Sequence, residues 1–202
     1  MTLIAIGVDQ STTKTGLCMR RFIANGNSKV IRAATIDTPG YNDMRRSLLT
    51  FIGLLTPTVI MCEDGFPRCN VMTTVTAAWV EAVVCQYNLG EMFDKVSASE
   101  WRKAVWPDAN QVKCGDCDGT GSDYTMMDET DIGQPPGSSR IDCRKCNGTG
   151  IVTKRMKSAD WKAYSIVKAK AAGIVDPDDH QGDADGICQY AIKMYTEAMK
   201  NG

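Results

Sequence analysis

Two octapeptides, CGDCDGTG from Cys114 and CRKCNGTG from Cys143, repeat the pattern Cys-x-x-Cys-x-Gly-x-Gly. Thiolates spaced this way reach one ion from a single loop, and the glycines permit the tight backbone turn around it. Two pairs complete a tetrahedral set, so Cys114, Cys117, Cys143 and Cys146 are expected to hold one structural Zn2+ per chain. A redox Cys-x-x-Cys would leave the duplicated glycines unexplained. A second kind of chemistry is written in carboxylates. Asp9 and Glu63 each stand where a hydrophobic run stops, and a third acidic group, DPDDHQGDAD, opens the last helical pattern. One such residue alone serves as a turn or cap. Three that meet at a sheet edge form an oxygen-ligand site for Mg2+ or Mn2+, and two such ions can clamp the attacking and leaving oxygens of a phosphodiester.

The elements that must position these groups follow from periodicity. LIAIGVD (3–9), TGLCMRRF (15–22) and SKVIRAATI (28–36) read as strands, with NGN as the hairpin turn between the second and third. NDMRRSLLTFIGLL places Leu48, Leu49, Ile52 and Leu55 on one helical face. TVIMCE is a short buried strand ending at Glu63, NVMTTVTAAWVEAVVCQYN a long helix, MFDKVS a fifth strand and SEWRKAVW a short helix. Helical pattern returns at KSADWKAYSIVKAKAAGI, where Ser158 is a candidate N-cap. PDDHQ interrupts it, and a last helix runs through GDADGICQYAIKMYTEAM. Three consecutive strands imply an antiparallel start, and the later alternation implies parallel strands. The fold class expected is α/β, a mixed sheet flanked by helices.

From about Pro107 to Lys154 the chain is rich in Gly, Asp, Thr, Ser and Cys, and periodicity vanishes. The division expected is one α/β domain formed by 1–106 and 155–202, with 107–154 as an inserted zinc-binding module. Zinc binding is worth on the order of 10 kcal/mol, so that module can fold without a core of its own. With 202 residues and a formal net charge of -1, overall charge does not mark a nucleic-acid binder, so any basic surface must be local. MTLIAIGVD lacks the basic start of a signal peptide, and no apolar run is long enough to span a membrane. A cytoplasmic setting, with no membrane partner, is expected. Nine cysteines there argue against a disulfide framework. Cys18, Cys62, Cys69, Cys85 and Cys188 are expected to be buried free thiols.

The motifs carry a resemblance. IGVDQSTTKTGLCM is similar to the first strand-turn-strand of the RuvC-like Holliday junction resolvases, of the ribonuclease H-like superfamily, especially phage forms with an Asp-Gln-Ser turn. VIMCEDGF resembles their second motif, in which the catalytic Glu is followed three residues later by an aromatic that stacks on bases near the junction; Glu63 and Phe66 keep that spacing. DDHQGDADGICQYA resembles the closing motif, with His180 three residues before Asp183-Ala184. A second register makes Asp185 the final ligand but leaves Gly182 where a carboxylate is expected. The likeness covers roughly residues 3–105 and 155–195, all but the cysteine module, which itself resembles the zinc repeats of DnaJ-type chaperones.

The resemblance implies a Mg2+- or Mn2+-dependent endonuclease with two ions per active site, a branched, four-way DNA substrate, a symmetric homodimer and, if phage-encoded, the host cytoplasm. Asp9, Glu63 and Asp183 would be metal ligands, with His180 or Asp185 completing the catalytic set. Lys14, Phe66, Arg68, Arg102 and Lys103 are assigned to DNA contact. In the resolvases the segment now occupied by the cysteine module is a loop beside the DNA. Lys113, Arg140, Arg144, Lys145, Lys154, Arg155 and Lys157 on or beside the knuckles therefore suit phosphate contact. GVDQSTTKTG also resembles the phosphate loop of sugar kinases related to hexokinase and actin, but those need two such domains around ATP, and this chain is too short. Two other readings remain: a non-catalytic zinc-containing nucleic-acid-binding or adaptor protein on a ribonuclease H-like scaffold, and an RNA-cleaving ribonuclease H-type enzyme.

Overall fold

The computed structural model describes residues 3–23, 27–64, 71–120, 122–123 and 141–201. Two compact units emerge: Met1–Pro107 with Ser158–Gly202, and Asp108–Lys157. Phe66, Arg68, Cys69 and Arg140, and the Asn25-Gly26 part of the expected turn, lie outside the described residues.

The first unit carries a five-stranded sheet of β1 (Ile4–Gln10), β2 (Lys14–Phe22), β3 (Ser28–Asp37), β4 (Val59–Glu63) and β5 (Met92–Val96), in the order β3-β2-β1-β4-β5. β1, β2 and β3 pair antiparallel, whereas β4 runs parallel to β1 and β5 parallel to β4. This is the mixed sheet expected. Alternation assigns its two faces. Ile4, Ile6, Val8, Leu17, Met19, Ile60 and Cys62 join one core cluster with Met44, Leu48, Phe51 and Ile52 of α1 (Tyr41–Ile52) and Ala77, Val80, Val83 and Val84 of α2 (Val71–Tyr87). The residues between them in β1, β2 and β4 (Gly7 and Asp9; Gly16, Cys18 and Arg20; Met61 and Glu63) therefore belong to the opposite face.

That opposite face carries α5 (Asp179–Asn201). A Cβ built on Gly7 would lie 2.1 Å from the Ala184 carbonyl oxygen, and one on Gly16 would lie 2.1 Å from that of His180. Only glycine admits so close an approach, so α5 rests backbone-to-backbone on β1 and β2. Gly182 and Gly186 do the same on the helix side, against Ser165 of α4 (Ser158–Ala171) and Trp101 of α3 (Ala98–Val105). α3 itself is started by Ser97, whose hydroxyl accepts from the Glu100 amide.

Four expectations need correction. α1 stops at Ile52 because Gly53 turns out of the helix at φ 61°; Leu49 is only half-buried, and Leu55 reaches the core from the following loop. β1 extends one residue past Asp9, to Gln10. α5 begins at Asp179, so His180 is helical rather than part of the interruption. The signal was Asp178-x-x-Gln181: the Asp178 carboxylate accepts from the Gln181 amide at 2.8 Å, which is half of a capping box. Cys85 is exposed, since the buried stripe of α2 runs through Ala77, Val80 and Val84 and position 85 is turned about 100° from Val84. Cys18, Cys62 and Cys188 are buried free thiols as expected. No helix among the described residues is long and apolar enough to cross a membrane.

The second unit is small. β6 (Gln111–Lys113) pairs antiparallel with β9 (Ile151–Thr153), and β7 (Ser122–Asp123) with β8 (Ile141–Asp142). Its buried cluster is the four cysteines, with Val152 against them.

Candidate functional site

The parallel register sets Val8 beside Cys62, so Asp9 and Glu63 follow side by side at the ends of neighbouring strands. The Gln10 side-chain amide ties the strands there by donating to the Glu63 carbonyl. α5, seated on Gly7 and Gly16, brings His180 and Asp183 to the same edge. His180 Nδ1 lies 2.8 Å from Asp9 Oδ2. Trp101 Nε1 donates to Glu63 Oε2 at 3.2 Å, and an Arg102 Nη donates to Asp183 Oδ2 at 2.8 Å. Each carboxylate thus has its own donor, supplied by α5 for Asp9 and by α3 for the other two.

The electrostatics fit a site in which the acids outweigh the positive charge that faces them. Burial, reinforced by the Asp9 charge, pushes Glu63 up to about 7, despite the Trp101 hydrogen bond that pulls it down. Burial and Asp9 likewise push Asp183 up to about 6, outweighing the Arg102 charge. The bond to Asp9 raises His180 above its usual value, against the opposing effect of burial. Asp183 Oδ1 is buried and has no hydrogen-bond partner among the described residues. An orphaned carboxylate oxygen among mutually repelling acids is the donor set a hard divalent cation satisfies.

Asp185 is elsewhere. It is fully buried, with Arg20 Nε 2.6 Å from Oδ1 and an Arg20 Nη 3.0 Å from Oδ2. Cys18 Sγ and Gln189 Nε2 add donors to the same two oxygens. A carboxylate so saturated has no lone pair turned toward Asp9, because one helical residue pair, 183 and 185, spans about 200° of the helix. The structure thus sets Asp185 among Arg20, Cys18 and Gln189, apart from the Asp9 contact that His180 makes. Arg102, assigned above to DNA contact, is turned onto Asp183, with its guanidinium carbon 4.9 Å from the Trp101 ring centroid and 5.3 Å from that of Trp161. Lys14 and Lys103 are exposed. Trp101, Ser165 and the Arg20–Asp185 pair were not found by sequence reasoning. Their roles depend on which helix faces meet, and no local pattern encodes that.

The cysteine centre is local. Cys114 Sγ lies 3.8 Å from Cys143 Sγ, and Cys117 Sγ lies 3.7 Å from Cys146 Sγ; all four lie within 4.8 Å of one another. Sulfurs ~2.3 Å from a tetrahedral zinc are about 3.8 Å apart, so the cluster could hold such an ion. The knuckles repeat in conformation as well as sequence. Asp118 and Asn147 take φ near 50°, followed by Gly119 and Gly148 at 81° and 77°. The Gly119 and Gly148 amides donate to the Cys114 and Cys143 carbonyls. Asp or Asn followed by Gly is the dipeptide that accepts such a left-handed pair. Lys113, Arg144, Lys154, Arg155 and Lys157 are exposed, and Lys145 is paired with Asp116 at 2.7 Å.

The first unit's topology has solved counterparts. The chain is similar to RuvC of Thermus thermophilus, with a TM-score of 0.57 and 11% identity, covering 97% of this chain and 96% of that one. It is also similar to T. thermophilus RuvC in complex with a Holliday junction substrate, with a TM-score of 0.54, 11% identity and the same coverage of both chains. No protein-family model matches the chain, and no curated protein sequence matches it. The fold is therefore RuvC-like and ribonuclease H-like, with a buried four-cysteine cluster in its second unit.

Proposed function

We propose that the protein is a structure-selective DNA endonuclease that resolves four-way or branched junctions, acting as a homodimer whose two-fold symmetry matches a two-fold substrate. The carrying observation is the convergence of Asp9, Glu63 and Asp183, each with a separate donor, at one sheet edge of a RuvC-like fold. Asp9, Glu63 and Asp183 would hold two Mg2+ or Mn2+ ions, which when bound supply a nucleophile at neutral pH and neutralise charge on the reacting phosphate. Asp9 orients His180 through Nδ1, leaving Nε2 as the ring atom able to hold or pass a proton. Trp101 fixes the Glu63 carboxylate, and Arg102 pairs with Asp183. Phe66 would stack on a base at the branch, a contact tolerant of sequence. Lys14, Arg68 and Lys103, and the basic residues of the four-cysteine unit with its Zn2+, would contact phosphates, which positions without reading sequence.

The test is cleavage of labelled four-way junction, duplex, flap and RNA–DNA hybrid by the zinc-loaded protein in Mg2+. Paired symmetric nicks in the junction are expected. Cleavage confined to the hybrid would replace this reading with a ribonuclease H-type one, and binding without cleavage of any substrate would make the protein an adaptor.

A further inference from the structure

Arg102 holds a position that a metal site should not readily tolerate. Its guanidinium meets the buried Asp183 carboxylate at 2.8 Å and lies over two indoles, Trp101 at 4.9 Å and Trp161 at 5.3 Å. Cation–π attraction and the ion pair both hold it there, and its Nε is buried without a partner among the described residues. A DNA-binding arginine would normally keep its fork in solvent, yet this side chain is only 21% exposed.

We propose that Arg102 is a placeholder cation, which competes with the divalent ion for Asp183 and keeps metal affinity low until the guanidinium is drawn off. The inference rests on the nuclease reading of the same carboxylates. The charge relation is simple. Asp9, Glu63 and Asp183 repel one another, and the groups facing them with positive or donor character are His180 on Asp9, the Trp101 indole on Glu63 and Arg102 on Asp183, while the nearby Lys162 is paired with Asp179 at 2.5 Å. Of these, Arg102 is the permanent charge paired directly with one of the three carboxylates. A divalent ion arriving at Asp183 Oδ1 meets a fixed positive charge on the other oxygen of the same carboxylate. The two cations are then coupled unfavourably through one ligand. Stacking on Trp101 and Trp161 makes the guanidinium harder to displace than a lysine would be, because a planar cation rests on both rings.

The experiment is a titration of zinc-loaded protein with Mn2+, counting free ion by electron paramagnetic resonance, for wild type, Arg102→Gln and Arg102→Lys. Arg102→Gln should bind Mn2+ about fivefold tighter or better. Arg102→Lys keeps the charge, so its affinity should stay within about twofold of wild type on the same reasoning. Thermal melts establish that each variant is folded. If Arg102→Gln is not, Arg102→Met keeps the stem against the indoles and carries the same expectation. Unchanged or weaker Mn2+ binding by the neutral variant overturns the proposal and makes Arg102 a group that orients Asp183 for the metal. Failure of the reading beneath it looks different: wild type itself binds no Mn2+ that Asp9→Asn removes.

Discussion

The molecule holds two candidate metal centres, built in opposite ways. The cysteine centre draws its ligands from two copies of one octapeptide, each folding on its own left-handed Asp-Gly or Asn-Gly turn. Its geometry is settled within eight residues at a time, and only the meeting of the two knuckles is long-range. The carboxylate centre draws single residues from β1, β4 and α5, and Asp9 and His180 are 171 positions apart. Nothing local holds that centre together. The sheet register does, with the glycine contacts that let α5 lie on β1 and β2 and the buried Arg20–Asp185 pair beneath. A site made of local repeats can depend on its ion for folding, whereas one assembled on a preformed core can be metal-free and folded. Mutations should therefore separate the two centres.

The largest effect is expected at the cysteines. Cys143→Ser should lose zinc and unfold residues 108–157, since the ion contributes on the order of 10 kcal/mol to such a module. Elemental analysis measures the zinc, and near-unchanged circular dichroism of the helices would show the sheet unit surviving. Where the module's basic residues contact phosphate, the slope of log K against log salt for junction binding becomes shallower by roughly 2. Global unfolding of the variant would break the distinction between a metal-dependent and a metal-independent fold.

At the carboxylates the effect should fall on activity alone. Asp9→Asn or Glu63→Gln should reduce junction cleavage about a thousandfold or more, since each removes an ion ligand worth several kcal/mol to the transition state. Junction binding by gel shift and the melting temperature should stay near wild type. Wild-type cutting by either variant would end the metal assignment.

The next contrast lies inside one helix. Asp183→Asn should abolish cleavage with little loss of stability, because Arg102 is partly open to water. Asp185→Asn should cost about 3 kcal/mol or more of stability, because it leaves the Arg20 charge buried without its counter-ion. Chemical denaturation and cleavage assays on both variants decide it. The reverse pattern would return Asp185 to the site and remove His180 from it.

The smallest effect is a pH dependence. Glu63 and Asp183 have folded values raised to about 7 and about 6, so the folded state holds protons more tightly than the unfolded chain. Their stabilising contribution is complete below the ordinary carboxylate range and is lost as pH rises through 6 and 7. In Mg2+-free buffer the melting temperature should fall between pH 5 and pH 7.5. Added Mg2+ should restore it chiefly at the upper end, where both groups are ionised. A Mg2+ effect as large at pH 5 as at pH 7.5 would detach these carboxylates from the ion.

The sequence by itself determined most of what depends on short range. Strand alternation in IAIGVDQ and VIMCE puts Asp9 and Glu63 on the same side as Gly7 and Met61, and the order of elements dictates an antiparallel start and a parallel finish. The knuckles were legible because Cys spacing and the Asp-Gly and Asn-Gly turns are local rules. The Asp178-x-x-Gln181 cap was legible too, and would have placed His180 on the helix. Tertiary structure alone gave Asp183 and Asp185 different surroundings. Both lie in one acidic stretch of one helix, and the difference turns on which flank of α5 meets Arg20 and which meets Arg102. It alone revealed Trp101 on Glu63, and an arginine turned inward onto a carboxylate. These contacts join residues 38 to 165 positions apart, and their partners are chosen by how helices pack on the sheet, which no window of sequence contains.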